Sequence, residues 1–158
     1  KKYSDATSFA DTLSTLPDVD EQLTNEALLY KARALQADSN IDAAINIYKQ
    51  LAGSKRSAIA AEADYYIAQG QYKEAKYKEA EETINNAIKL AGGDDKMVVK
   101  SYRLLADILV AEKDFFNAKA LLQSIVRNSK VAEVKQQASD KLAEVKALEN
   151  KNSKLKQD

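Results

Sequence analysis

Apolar residues return along this chain every three or four positions, with polar residues filling the rest of each helical turn. Alternation in twos, the mark of a half-buried strand, occurs almost nowhere. The pattern predicts helices from end to end. Punctuation falls at Pro17-Asp18, Asp38-Ser39-Asn40, Gly53-Ser54, Gly92-Gly93-Asp94-Asp95, Lys113-Asp114 and Asn128-Ser129. Each suits a cap or a turn: glycine accepts the left-handed conformation that ends a helix, and Asn or Asp accept from the free amides that begin one. The expected elements are a helix over 1–16, helix pairs near 25–52, 58–91 and 98–127, and a further helix over 131–150. Residues 151–158 read as a frayed polar tail.

The helices repeat. The stretches "YSDATSFADTL", "NIDAAINIYKQL", "KYKEAEETINNA" and "DFFNAKALLQSI" align with Ala6, Ala44, Ala80 and Ala118 in register, at intervals of 38, 36 and 38 residues. Twelve residues before the last three stand Ala32, Ala68 and Ala106. Self-similarity at such a period is the sequence signature of a helical repeat. Two helices packed about 8–10 Å apart need a small residue where their axes cross, which explains the alanines. Larger side chains flank them: Leu28 and Leu35 around Ala32, Tyr102, Leu105 and Leu109 around Ala106, Tyr48 and Leu51 after Ala44, Leu122 and Ile125 after Ala118. These are core positions at helical spacing, not a chemical site.

Composition removes whole classes of function. Lysine plus arginine and aspartate plus glutamate both total 24, so no net field draws the 158-residue chain to nucleic acid or an anionic membrane. Cysteine and histidine are absent. That excludes Cys/His zinc sites, disulfides, thiol nucleophiles, Ser-His-Asp triads and a histidine base. No run approaches the roughly 20 apolar residues of a membrane-spanning helix, and "KKYSDATSF" lacks the apolar core of a signal peptide. A start at Lys1 leads to the expectation of a fragment or processed form. Acidic pairs such as Asp94-Asp95 and Glu81-Glu82 read as a helix start and a solvated helix face rather than a metal or acid–base site. No cofactor, metal or catalytic residue is expected.

The register resembles the tetratricopeptide repeat family, whose units place a large residue, Leu, a small residue and a large residue in the first helix, then Ala and a large residue in the second. Leu28, Ala32, Leu35, Ala44 and Tyr48 match best, followed by Tyr102, Leu105, Ala106, Leu109, Ala118 and Leu122. The middle unit keeps Ile67, Ala68, Ala80 and Ile84 but has Asp64 where a large residue is usual and Gln71 in place of an aromatic. Its first helix is expected to extend through Tyr72 to Ala75. The spacing exceeds the family's roughly 34 residues. The resemblance implies an all-α fold, a right-handed α-solenoid of antiparallel helix pairs. Residues 1–16 would be the second helix of a truncated unit, with the face of Tyr3, Ala6, Phe9, Ala10 and Leu13 partly uncovered and open to self-association. Residues 25–130 would hold three pairs.

In "VAEVKQQASDKLAEVKALENKN", Val131, Val134, Ala138, Leu142, Val145 and Leu148 form one apolar stripe on a charged helix, as a solenoid cap requires. An oligomerising coiled coil is the alternative. Tyrosine is the unusual component, eight in a chain without tryptophan. Tyr65, Tyr66, Tyr72 and Tyr77 crowd the middle unit, where not all can be buried; they are partner contacts or filling for an irregular repeat.

In the tetratricopeptide family the first helices line a concave groove that receives a peptide or partner helix. Transferred by resemblance, the groove positions are Glu26, Leu29, Arg33 and Gln36, then Glu62, Tyr65, Gln69 and Tyr72, then Lys100, Arg103, Asp107 and Val110. The family's carboxylate clamp for chaperone C-termini wants Lys and Asn where this chain has Leu29 and Arg33, which argues against that mode. The resemblance implies a non-enzymatic scaffold for a protein or peptide partner, a fragment of a longer repeat protein, similar to bacterial cell-envelope tetratricopeptide proteins. Two alternatives stay open: a regulatory helical domain that binds a small ligand, and a self-associating helix bundle.

Overall fold

The computed structural model describes residues 2–15, 19–92 and 95–154, which form helices and turns with no strand among them. In chain order the helices are α1 (Lys2–Thr15), α2 (Glu21–Ala37), α3 (Ile41–Leu51), α4 (Ser57–Lys73), α5 (Tyr77–Ala91), α6 (Asp95–Ala111), α7 (Phe115–Asn128) and α8 (Ala132–Lys154). The all-α expectation agrees with this. Pro17-Asp18, Gly93-Asp94 and the tail beyond Lys154 lie outside the described residues, as do the side chains of Tyr3 and Ala6. Two boundaries differ from expectation. Helix α2 starts earlier because Asp20 caps it, its carboxylate accepting from the Gln22 amide at 2.6 Å. Helix α8 continues through Lys154, so the first residues of the expected tail are helical; no glycine or proline interrupts them.

The third difference carries more information. Helix α4 stops at Lys73, and Ala75 sits at φ 59° instead of continuing the helix. Ser39 and Lys113 adopt the same left-handed conformation, both at φ 63°. The three stand five residues before Ala44, Ala80 and Ala118, in the register of the alanines. Their hydrogen bonds are the same as well. The amides of Asn40, Lys76 and Asp114 reach back to the carbonyls of Leu35, Gln71 and Leu109 at 2.8, 2.9 and 2.8 Å. Those of Ser39, Ala75 and Lys113 reach Gln36, Tyr72 and Val110 at 3.1, 3.0 and 3.0 Å. This pair of bonds is the Schellman motif, in which two of the last helical carbonyls are satisfied by a turn that favours glycine. None of the three positions is glycine. Ala75→Gly is therefore expected to stabilise the chain by roughly 0.5–1 kcal/mol, strain relief outweighing the added freedom of the unfolded state. Ala120→Gly, on an exposed turn inside α7, should destabilise by about 1 kcal/mol. Thermal denaturation of the two variants checks the opposite signs.

Packing follows the register. Ala32, Ala44, Ala68, Ala80, Ala106 and Ala118 are all within 1% of complete burial. Four residues after each second-helix alanine, Tyr48, Ile84 and Leu122 fill the core. Each helix packs on its neighbours in sequence, and α2 also touches α4, α4 touches α6, and α6 touches α8; among the described residues no more distant helices meet. At one end Ala10 and Leu13 of α1 bury against Ala27, while Phe9 is exposed. At the other, Ala138 and Val145 of α8 join the core and the charged face of α8 stays in water. Lys119 of α7 clips α8 in place through both carboxylate oxygens of Glu149, at 2.8 and 2.6 Å.

Asp64, the misfit of the middle unit, is only 5% exposed. Its carboxylate accepts from the Asn86 side chain of α5 at 2.6 Å. Burial pushes its pKa up, and the Asn86 hydrogen bond only partly opposes this. A raised folded-state pKa means that the folded chain holds the proton more tightly than the unfolded chain. The contribution to stability is thus largest at low pH and is lost as pH rises from the ordinary carboxylate range through the raised value. Asp64→Asn keeps the shape and removes the charge. The difference in melting temperature between variant and parent should grow in favour of the variant as pH climbs from about 4 to about 7, and a difference that is flat with pH would contradict this account.

Candidate partner-binding face

The expected groove positions lie on α2, α4 and α6, the helices that touch one another in succession, and much of the face is already bonded to itself. Arg33 and Glu62 form a two-point pair from α2 to α4, with Arg33 Nε donating to Glu62 Oε1 at 2.6 Å and Nη2 donating to Oε2. Glu26 pairs with Arg56 at the other end of the same seam. Arg33 also lies over the ring of Tyr30, 5.6 Å from its centroid. Tyr30 is 60% exposed and was not among the expected positions; its place one turn before Arg33 on the helix was the available signal.

Leu29 is a correction to the accessible surface. It is 8% exposed and belongs to the core of α2, α3 and α4, because an apolar side chain at the edge of the apolar stripe rotates inward rather than stay wet. Gln36 faces the same interior seam, where its side-chain oxygen accepts from the Tyr48 hydroxyl at 3.0 Å. Burial drives the Tyr48 phenol well above its ordinary pKa, with Tyr66 and Glu62 adding to the shift. Gln69 lines a hollow of about 40 Å³ with Gln36, Tyr48 and Tyr66.

The tyrosines of the middle unit pack on one another and on Tyr48. Tyr48 and Tyr66 stack with centroids 4.8 Å apart, Tyr65 meets Tyr66 edge-on at 5.1 Å, and Tyr72 leans on Tyr77 at 5.9 Å. All of Tyr65, Tyr66, Tyr72 and Tyr77 are partly buried. Burial raises the Tyr65 phenol, with Tyr66 adding and Arg103 opposing; burial also raises Tyr72, which senses Asp107. Tyr65, Tyr72, Arg103 and Asp107 are therefore brought together where α4 meets α6.

Helix α8 contributes to this face as well, beyond its expected role as a cover. Lys141 donates to Asp107 at 2.7 Å and pairs with Glu144 at 3.3 Å. Burial works against the Lys141 charge, and those two carboxylates outweigh it, so its pKa rises. Lys100 and Arg103 are exposed. Val110 sits apart at the far end, in a shallow hollow of about 260 Å³ shared with Phe115 and Leu148.

No protein-family model matches the chain, and no curated protein or solved structure matches it. Among the described residues, no group of acids is placed to hold a metal ion, and no helix is long and apolar enough to cross a membrane. Glu81 is pushed up by burial, then by Glu112 and Asp114, within a cluster of like charges between α5 and the α6–α7 turn. Two further hollows flank Val134 between α6, α7 and α8. One, of about 480 Å³, is walled by Val98, Val99, Tyr102, Leu121, Ile125 and Val131, with Asp95, Ser124, Asn128 and Lys130 among its polar lining. The other, of about 220 Å³, opens beside Arg103.

Proposed function

We propose that this chain is a non-enzymatic protein–protein interaction scaffold, a right-handed tetratricopeptide-like solenoid whose first helices α2, α4 and α6, closed by α8, present the partner-binding face. The observation that carries the reading is the same non-glycine Schellman turn at Ser39, Ala75 and Lys113, in register with six buried alanines. A repeated unit with first helices in succession builds one long side from equivalent positions, the geometry that lets a solenoid hold an extended partner. Affinity capture with the intact chain, followed by quantitative binding, tests it. Tyr30→Ser and Arg103→Ala should each weaken the captured partner by more than about 1 kcal/mol, as truncation of aromatic and arginine anchors does. Phe116→Ser, at an exposed position of the second helix α7, should leave it unchanged. The reverse pattern would move the site to the second-helix side.

One observation favours a second reading, a regulatory helical domain that binds a small ligand. The hollow of about 480 Å³ falls in the size range of such sites, about 300–1,000 Å³. A small molecule that raises the melting temperature, and loses that effect in Val99→Phe, would support it.

A further inference from the structure

The acids at the α6–α8 seam that hold cations are spoken for, and a guanidinium is left over. Lys141 holds Asp107 and Glu144, and Asp140 accepts from the Gln136 side-chain amide at 2.8 Å. Arg103 makes no ion pair among the described residues, and neither does Lys100 one turn before it. Arg103 stands on the rim of the cavity of about 220 Å³, whose floor is Val99, Leu122, Ile125, Val134 and Ala138. A cavity of about 150 Å³ already accepts a benzene-sized group, so this one has room for a single large aliphatic side chain.

Resting on the reading of this face as a partner site, we propose that the α6–α8 cleft receives a peptide segment in which one acidic residue stands beside one leucine-sized aliphatic residue. The carboxylate takes the two-point fork of Arg103, and the aliphatic side chain enters the cavity. A planar guanidinium matches a carboxylate with two parallel N–H donors. Lys141 cannot serve instead, since its charge is shared between two acids. Asp140 and Glu144 on the same rim set the partner's charge pattern. They repel a run of acids or a phosphate backbone, and they tolerate a lone carboxylate directed at Arg103 with apolar or neutral neighbours.

A displayed library of random dodecapeptides, panned on the intact chain and followed by affinity measurements on labelled synthetic peptides, tests this. Enriched peptides should share Asp or Glu next to Leu, Ile or Met. Arg103→Gln should lower their affinity tenfold or more with no change in melting temperature, and Asn for Asp in the peptide should lose the same factor. Asp140→Asn should tighten binding. Val99→Phe, which fills the cavity, should abolish the aliphatic preference and keep the acidic one. Enriched peptides without an acid, or binders indifferent to Arg103→Gln, would overturn the proposal; if those binders still respond to Tyr30→Ser, the partner face itself stands. No enriched peptide of any composition would remove both.

Discussion

Ile84→Ala should be among the most damaging single substitutions in this chain, lowering stability by about 2–5 kcal/mol. Ile84 has no exposed surface and occupies the position that Tyr48 and Leu122 occupy in the other pairs. It belongs to the apolar cluster shared by α4 through α8, where Ala68, Ala80 and Ala87 lie beside larger residues such as Leu104, Leu105 and Ile108. Chemical denaturation with an unchanged m-value measures the loss. A loss below about 1 kcal/mol would mean that this unit is loosely packed.

The second large effect runs in the opposite direction, from small to large. Ala106→Leu places a branched side chain where α6 crosses its partner and where no surface is exposed. Overpacking of this kind costs roughly 1–3 kcal/mol through off-rotamer side chains and displaced backbone. A leucine at Lys113 should be nearly neutral, since the position is exposed and lysine already bears the same left-handed strain. Equal melting temperatures for the two variants would refute the crossing-point role of the alanines.

The sequence made the alanines easy to place because a crossing point admits so few residue types. That one constraint yielded the period, the pairs and six buried positions. The turn at Ala75 was invisible for the converse reason. Glycine announces a left-handed residue, whereas alanine in that conformation looks like another helical residue, so α4 was expected to run on. Asp64 was noticed as a misfit, but its partner lies 22 residues away on another helix, and no periodicity points to Asn86. The face was legible as a set of helix offsets and not as chemistry. Offsets do not say that Leu29 turns inward, that Glu62 occupies Arg33, or that Lys141 arrives from α8 to hold Asp107. Long polar side chains choose partners across helices, and that choice depends on interhelical distances that composition does not encode.

Because, among the described residues, each helix meets only its neighbours and the next but one, resistance to opening varies along the length of the chain. Helix α1 is held by a small patch around Ala10, Leu13 and Ala27, whereas α4 through α8 share one continuous apolar cluster. A nick, a bound chaperone or a brief thermal fluctuation near α1 therefore leaves the α6–α8 seam intact. The two ends of the molecule live on different clocks, and a partner seated near Arg103 rests on the slower one.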